Sequence, residues 1–573
     1  MHEQKNIVLA VVISFLVLFG YQYFFEMPRL EALRQAQQQA ALTEGPQTPE
    51  ATFGQQAALP APAAPLPRAE ALQQSPRLQL ENGTIAGTVA LRGLRFDDLH
   101  LLKYRDEPRK DSPTVTLLSP SGSEHPYFIE LGWTAAAGVR VPTPDTLWQT
   151  SHPRLTPEQP VTLSWNNGAG LVFKVALSLD KNYVLTAAQT VENKTSQPVV
   201  VFPYGLISRL ADHHKTDRTA TGAIGAFNNK LTERTFDDLA EDGPLEESSR
   251  GGWAGFSDKY WLTAVAPQQD VEARYRFREF QRDGRAIAQG DYLLAAQTVA
   301  PGATHTATTR LFTGAKEVER LDDYATTLNL PLFDRAIDFG ALYFLTKPLF
   351  YALHYIYLAV GNFGVAIIGL TLLVRVFLYP VANKSYKAMN RLKDLQPQMQ
   401  EIQKRYGTDR MQMSQEMMKL YQKEKVSPFS GCLPILIQIP VFIALYHVFL
   451  VSLEMRHAPF FGWIQDLAAP DPAYLVTAFG FLPWNPPGFI AIGVWPALVG
   501  ITMWLSQKMN PTPMDKAQQM VLNLMPLIFV FTTAQLPAGL AVYWTFNNIV
   551  SIIQQKAIRR FSDGSGAKAA ARA

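Results

Sequence analysis

A guanidinium inside an apolar run is the first residue that asks for an explanation. Arg375 lies in GNFGVAIIGLTLLVRVFLYP, which contains no acidic residue. An arginine at mid-membrane costs about 2.5–3.5 kcal/mol on insertion scales, less if it snorkels to the headgroups. Left buried and unpaired, it would be more costly still. It must therefore reach either the headgroups or a water-filled cavity. Thr371, one turn earlier, shares its helical face. Gln438, and the group Tyr543, Trp544, Asn547, Asn548 and Ser551, are further polar or amphipathic residues inside other apolar runs. Together they could line one hydrated groove. Hydrogen bonding between helices is the plainer reading of the same residues.

Other candidates for chemistry are weaker. His213 and His214 stand in ADHHKTDRT, which reads as a polar, solvated loop. In a strand their side chains would point to opposite faces, so one metal would rarely take both. Asp237, Asp238 and Glu241 form no spaced carboxylate pair. The single cysteine, Cys432, excludes an intramolecular disulfide and a clustered-cysteine zinc site. No GxxxxGK[ST] phosphate loop is present. A net charge of +3 is too small to argue for nucleic acid. Neither a metal nor a cofactor is expected.

The elements that must position Arg375 are apolar runs clustered in the C-terminal part of a 573-residue chain. Ile7 to Phe25 carries no charge and ends in bulky aromatics, which predicts an uncleaved anchor within 1–27. Residues 28–76, rich in Gln, Ala and Pro, predict a flexible tether. From 77 to 328 the chain turns to short alternating runs with turn signals such as Asn166-Asn167-Gly168, which predicts a large all-β sandwich.

Residues 332–346 predict an amphipathic helix lying in the interface, with Phe333, Ile337, Ala341 and Phe344 on one face. Phe344 to Ala382 would span about 58 Å as one helix, too long for a single crossing, and Gly361-Asn362-Phe363-Gly364 supplies a break. That places a span at about 360–381. Residues 383–428 hold ten Lys/Arg against five Asp/Glu and predict two helices, about 383–405 and 410–425. Gly407 would stop the first and Asp409 cap the second, with Pro397 a possible kink. The positive-inside rule puts this hairpin in the cytoplasm. Further spans are predicted at about 431–451, 489–506, 519–535 and 540–557. Counting the anchor gives six, which leaves both termini cytoplasmic. The segment 472–488 (TAFGFLPWNPPG and its flanks) leaves the start of the 489–506 span open.

Local strings now carry a resemblance: GNFGVAIIGLTLLVRVFLYP, LQPQMQEIQKRYG, MSQEMMKLYQKEKVSP, GCLPILIQIPVFIALY, MRHAPFFGWIQDL and PAGLAVYWTFNNIVSIIQQ. Over about 330–560 the chain resembles the YidC membrane-protein insertases of Gram-negative bacteria, and the anchor and β domain fit the layout of that form. The resemblance implies a non-enzymatic insertase and chaperone in the inner membrane with a large periplasmic domain. It implies a groove open to cytoplasm and lipid, in which Arg375 attracts acidic or polar segments of an incoming chain and Thr371 lies beside it. Substrate helices would slide along the third and fifth spans. The family's tyrosine pair reads Tyr543-Trp544 here. Implied partners are nascent membrane proteins, membrane lipid, the Sec translocon and ribosomes. A small-anion transporter would call for internal repeats and several mid-membrane ionisable groups. A membrane-tethered periplasmic enzyme or carbohydrate-binding protein would call for a carboxylate pair at one end of the sandwich.

Overall fold

The computed structural model describes residues 65–109, 111–213, 222–407, 409–424, 426, 433–479, 481–482, 484, 486–488, 490–509 and 516–570. The expected anchor, most of the tether, His214 and Cys432 lie outside the described residues.

Alternating sequence builds two facing sheets. The nine-stranded sheet runs Lys230–Arg234, Gly222–Phe227, Trp253–Ser257, Trp261–Pro267, Thr304–Ala315, Val184–Asn193, Leu171–Leu179, Val161–Asn166 and Gln149–Thr150. The eleven-stranded sheet is centred on Arg285–Leu294, Val199–Leu210, Tyr127–Ala135 and Arg95–Arg105. The period of two sorts side chains cleanly: Leu171, Phe173, Val175, Leu177 and Leu179 are all buried while their neighbours are not. Trp133 of one sheet meets Phe173 of the other edge-on at 5.1 Å, and Phe256 meets Phe277 at 5.8 Å. Buried Gln189 donates across the same gap to the Gly132 carbonyl at 2.9 Å. His213 is exposed in a turn, as expected, and there bridges Asp237 at 2.7 Å and Glu279 at 3.1 Å. Those carboxylates, Asp237 first, push its pKa up.

The helices are α1 (Arg68–Leu72), α2 (Phe236–Glu241), α3 (Val318–Thr327), α4 (Tyr343–Val360), α5 (Phe363–Asp394), α6 (Gln396–Tyr406), α7 (Arg410–Lys423), α8 (Leu433–Val451), α9 (Val494–Met509), α10 (Lys516–Thr533) and α11 (Ala538–Ala570). By length and composition α5 is the one helix among the described residues that passes as long and apolar enough to cross a membrane; α8 and α10 contain shorter apolar stretches.

Several predicted bounds need correction. The amphipathic helix at 332–346 is not continuous. Leu332 and Gly340 adopt positive φ (54° and 72°), which leaves only a 3-10 turn, Phe333–Ala336, before α4 begins at Tyr343. Asp338 fixes the break by accepting the Gly340 N–H at 2.8 Å. Phe333 is buried against the β domain and Ile337 is buried as well, whereas Phe344 is exposed. The helix after Asn362 does not stop near 381 but passes through Pro380 to Asp394. The break in the hairpin falls at Leu395, with Pro397 in the first turn of α6, where its missing N–H costs little. Residues 490–493 precede α9 as non-helical chain, with Gly493 bridging to Tyr474.

The outside of the bundle is apolar. Val376, Phe377, Met520, Val521, Leu527 and Ile501 are all more than half exposed, and α5, α9 and α10 carry them. Apolar exposure on this scale marks a membrane-facing surface.

Candidate functional site

Two helices that run side by side build the site. Gly361, at φ 70°, ends α4 by donating to the Tyr357 carbonyl at 2.7 Å. Asn362 then caps α5, its side chain accepting the Val365 N–H at 3.0 Å. A Cβ on Gly364 would sit 1.8 Å from the Phe460 ring, so only glycine lets α5 approach this closely. The buried face of α5 runs Phe363, Ala366, Ile367, Leu370 and Thr371, and Arg375 is its next position. Helix α11 starts by donating from Ala538 to the Ala469 carbonyl (2.8 Å) and from Gly539 to that of Leu467 (3.0 Å). Those bonds satisfy first-turn donors that the helix itself cannot.

Tyr543, Asn547 and Ser551 recur every four residues along α11 and form one polar face. Arg375 lies against it. Its Nε donates to Asn547 Oδ1 at 2.9 Å, and Nη2 donates to the Asn547 carbonyl at 3.2 Å and to Ser551 Oγ at 2.5 Å. Every one of these acceptors is uncharged. Among the described residues Arg375 makes no ion pair, and it is half-buried. One turn nearer the start of α11, Gln438 of α8 donates to the Tyr543 hydroxyl at 2.7 Å. The result is a polar strip between α5, α8 and α11.

The remaining predicted residues go elsewhere. Thr371 lies a turn from Arg375 on the same helix, but it is buried and its hydroxyl donates to the Ile367 carbonyl at 2.7 Å. Trp544 turns away from Tyr543 and sits between Phe442 (4.4 Å) and Phe529 (4.6 Å). Asn548 is buried and donates to Thr502 of α9 at 3.1 Å, a helix-to-helix bond rather than a member of the strip. Gly407 and Asp409 join α6 to α7. Asp409 accepts from the Met411 and Gln412 N–H groups, both at 3.0 Å. Gly407 is right-handed at φ −63°, so it ends α6 without the left-handed turn expected of a glycine stop.

Two further polar residues on these helices were missed. Thr502 gives no sequence signal, being one small polar residue in an apolar helix. Gln554 lies three residues beyond Ser551, off the four-residue period, which falls on Gln555 instead. The Gln554 amide oxygen and nitrogen are both buried without a partner among the described residues.

The chain matches the family model of the 60Kd inner membrane protein over residues 355–565, and that of the YidC periplasmic domain over 77–352. It is 44% identical to the membrane protein insertase YidC of Beijerinckia indica, over 97% of this chain and 96% of that one. With those of Methylobacterium sp. strain 4-46 and Rickettsia bellii it shares 42% and 41%. Those two matches cover 98% and 97% of this chain and 95% and 98% of the relatives. This chain belongs to the YidC membrane protein insertase family. As a YidC insertase it is an inner-membrane protein with a large periplasmic β-sandwich, and it inserts membrane proteins. YidC proteins are named for insertion and not as enzymes, so the anion-transporter and carbohydrate-binding readings give way.

Proposed function

We propose that Arg375 is the positive centre of a hydrated insertion groove formed by α5, α8 and α11 and open toward the cytoplasm. One observation carries this reading: neutral oxygens of Asn547 and Ser551 hold the guanidinium while no carboxylate among the described residues cancels it. Such acceptors orient the fork and leave its charge to act on an incoming acidic or polar segment. A hydrogen bond to a charged group is worth about 1.5–3 kcal/mol, enough to offset part of the cost of moving a carboxylate out of water. The Gln438–Tyr543 pair gives the segment its next polar contact, and Thr371 and Trp544 shape the flanks.

The same proposal includes six spans, cytoplasmic N- and C-termini, and a cytoplasmic α6–α7 hairpin hinged at Gly407 and Asp409. The basic surplus of 383–428 supports that orientation. Exposed apolar residues of α8 (Ile439, Ile443) and α10 (Leu524, Leu527) offer the path along which an apolar substrate helix slides to lipid. The Sec translocon and the ribosome are the proposed partners at the two ends of that path.

Arg375→Glu should abolish insertion of substrates with acidic outer tails, while Arg375→Lys should keep most of it. Insertion by reconstituted vesicles reads both. Equal activity of the two variants would sink the electrostatic role.

A further inference from the structure

The connection between α8 and α9 carries an exposed apolar surface that the groove does not use. From Pro472 to Gln507 the chain has no Asp, Glu, Lys, Arg or His. Arg456, just after α8, donates to the carbonyls of Arg105 and Asp106 in the β domain, so this connection lies on the periplasmic side. Phe479, Phe481, Leu482 and Trp484 are 60%, 86%, 54% and 50% exposed, and Leu475 and Val476 are exposed as well.

The base of this segment is fixed. Buried Asp471 accepts the Trp463 indole N–H at 2.9 Å and the Ala473 N–H at 3.0 Å on one oxygen, and the Trp495 N–H at 2.8 Å on the other. It thereby ties the segment to the first turn of α9, where a carboxylate suits the helix N-terminus. Gly493 pairs with Tyr474 across this base, and a Cβ on Gly493 would fall 2.6 Å from Asp471. Phe479 takes a positive φ (63°), which a bulky residue holds only where its surroundings impose it.

The backbone of the tip is sealed against the loss of water. The N–H groups of Ala478, Phe479, Phe481, Leu482 and Trp484 donate to carbonyls within the segment, and that of Leu475 to the Ile492 carbonyl, at 2.8–3.4 Å. Pro483, Pro486 and Pro487 carry no N–H at all. Bare donors keep irregular chain out of a membrane. With its donors engaged, an irregular segment can enter the boundary between headgroups and acyl chains, where Trp and Phe settle. Helix α9 has 16 residues and spans about 24 Å, short of the ~30 Å hydrocarbon core. Lys508 lies in its last turn, so the shortfall falls at the end where this segment stands.

We propose that Leu475, Val476, Phe479, Phe481, Leu482 and Trp484 form an interfacial anchor that seats in the outer leaflet beside α9, with lipid as its ligand. The patch is continuous along the chain with α9, whose Ile501, Trp504 and Leu505 are exposed on the membrane-facing side. It has no charged group of its own, the kind that fixes register against a protein partner. The anchor does not depend on the role assigned to Arg375.

The test uses the full chain in phosphatidylcholine nanodiscs, with Cys432→Ser removing the native thiol. A nitrobenzoxadiazole probe is attached through Phe481→Cys, through Trp484→Cys or, as a control exposed on the β domain, through Lys194→Cys. Quenching by nitroxide-labelled lipid and by iodide is read for each. Both tip probes should be quenched strongly by the lipid, and several-fold less by iodide than the Lys194 probe. Arg375→Glu should change neither, which separates the anchor from the groove. Iodide quenching of either tip probe as strong as at Lys194 would overturn the proposal. So would shielding of both tip probes from both quenchers, which would place the tip against protein instead of lipid.

Discussion

Arg375 is held by an amide, a hydroxyl and a backbone carbonyl of one neighbouring helix. An isolated arginine in an apolar run was conspicuous in the sequence, and so were Asn547 and Ser551. Their pairing was not legible, because it depends on how α5 and α11 rotate against each other. Adjacent residues on a helix point about 100° apart. That is why Tyr543 joins the strip, Trp544 packs between two other helices and Asn548 binds α9. Removing the hydroxyl of Tyr543 (Tyr543→Phe) leaves the Gln438 amide without its acceptor. The loss should be about 1–3 kcal/mol, seen as a lowered Tm in detergent. At the end of the β domain, Lys316 is buried, and among the described residues its ammonium has Ser257 Oγ, at 3.0 Å, as its one hydrogen-bond partner. Burial pushes its ammonium down to about 8, despite the opposing pull of Asp258, Glu233 and Asp338. The folded pKa lies below the unfolded one, so the unfolded chain holds more protons between them. Stability should therefore rise with pH from about 8 to about 10.5. Lys316→Met should remove that rise from the tryptophan-monitored unfolding of the periplasmic domain.

Elements with a strong period were legible and their ends were not. The alternating strands announced the sandwich. The cap at Asp409 was readable because it depends on one side chain and the next two amides. Asp409→Ala should cost α7 about 1 kcal/mol, detectable as faster amide exchange in its first turn. The length of α5 was hidden because polarity changes near Asn383 while the backbone continues through Pro380 for more than three further turns. The amphipathic pattern at 332–346 misled for the opposite reason. Phe333 and Ile337 are buried from an irregular backbone, with Phe333 meeting Trp253 at 5.0 Å and Phe312 at 5.3 Å in the β domain, while Ala341 and Phe344 are exposed.

At the scale of the whole molecule, the periplasmic sandwich and the bundle share one continuous apolar core. Arg456, just after α8, reinforces the junction by donating to the carbonyls of Arg105 (2.7 Å) and Asp106 (3.0 Å) and lying over Trp261. Deleting 77–315 should leave insertion largely intact, because the strip around Arg375 draws on none of those residues. Thermal stability should fall, since Phe333 and Arg456 lose their partners. Loss of all insertion in a stably expressed deletion would move the activity to the sandwich. The most direct test of the groove is photo-crosslinking of a stalled nascent chain with an acidic segment followed by an apolar helix. Probes at Gln438 and Leu527 should capture the acidic and apolar parts respectively, and a probe at Ile501 neither. Arg375→Glu should erase the Gln438 adduct. An unchanged Gln438 adduct in that variant, or an Ile501 signal as strong as either, would contradict the account.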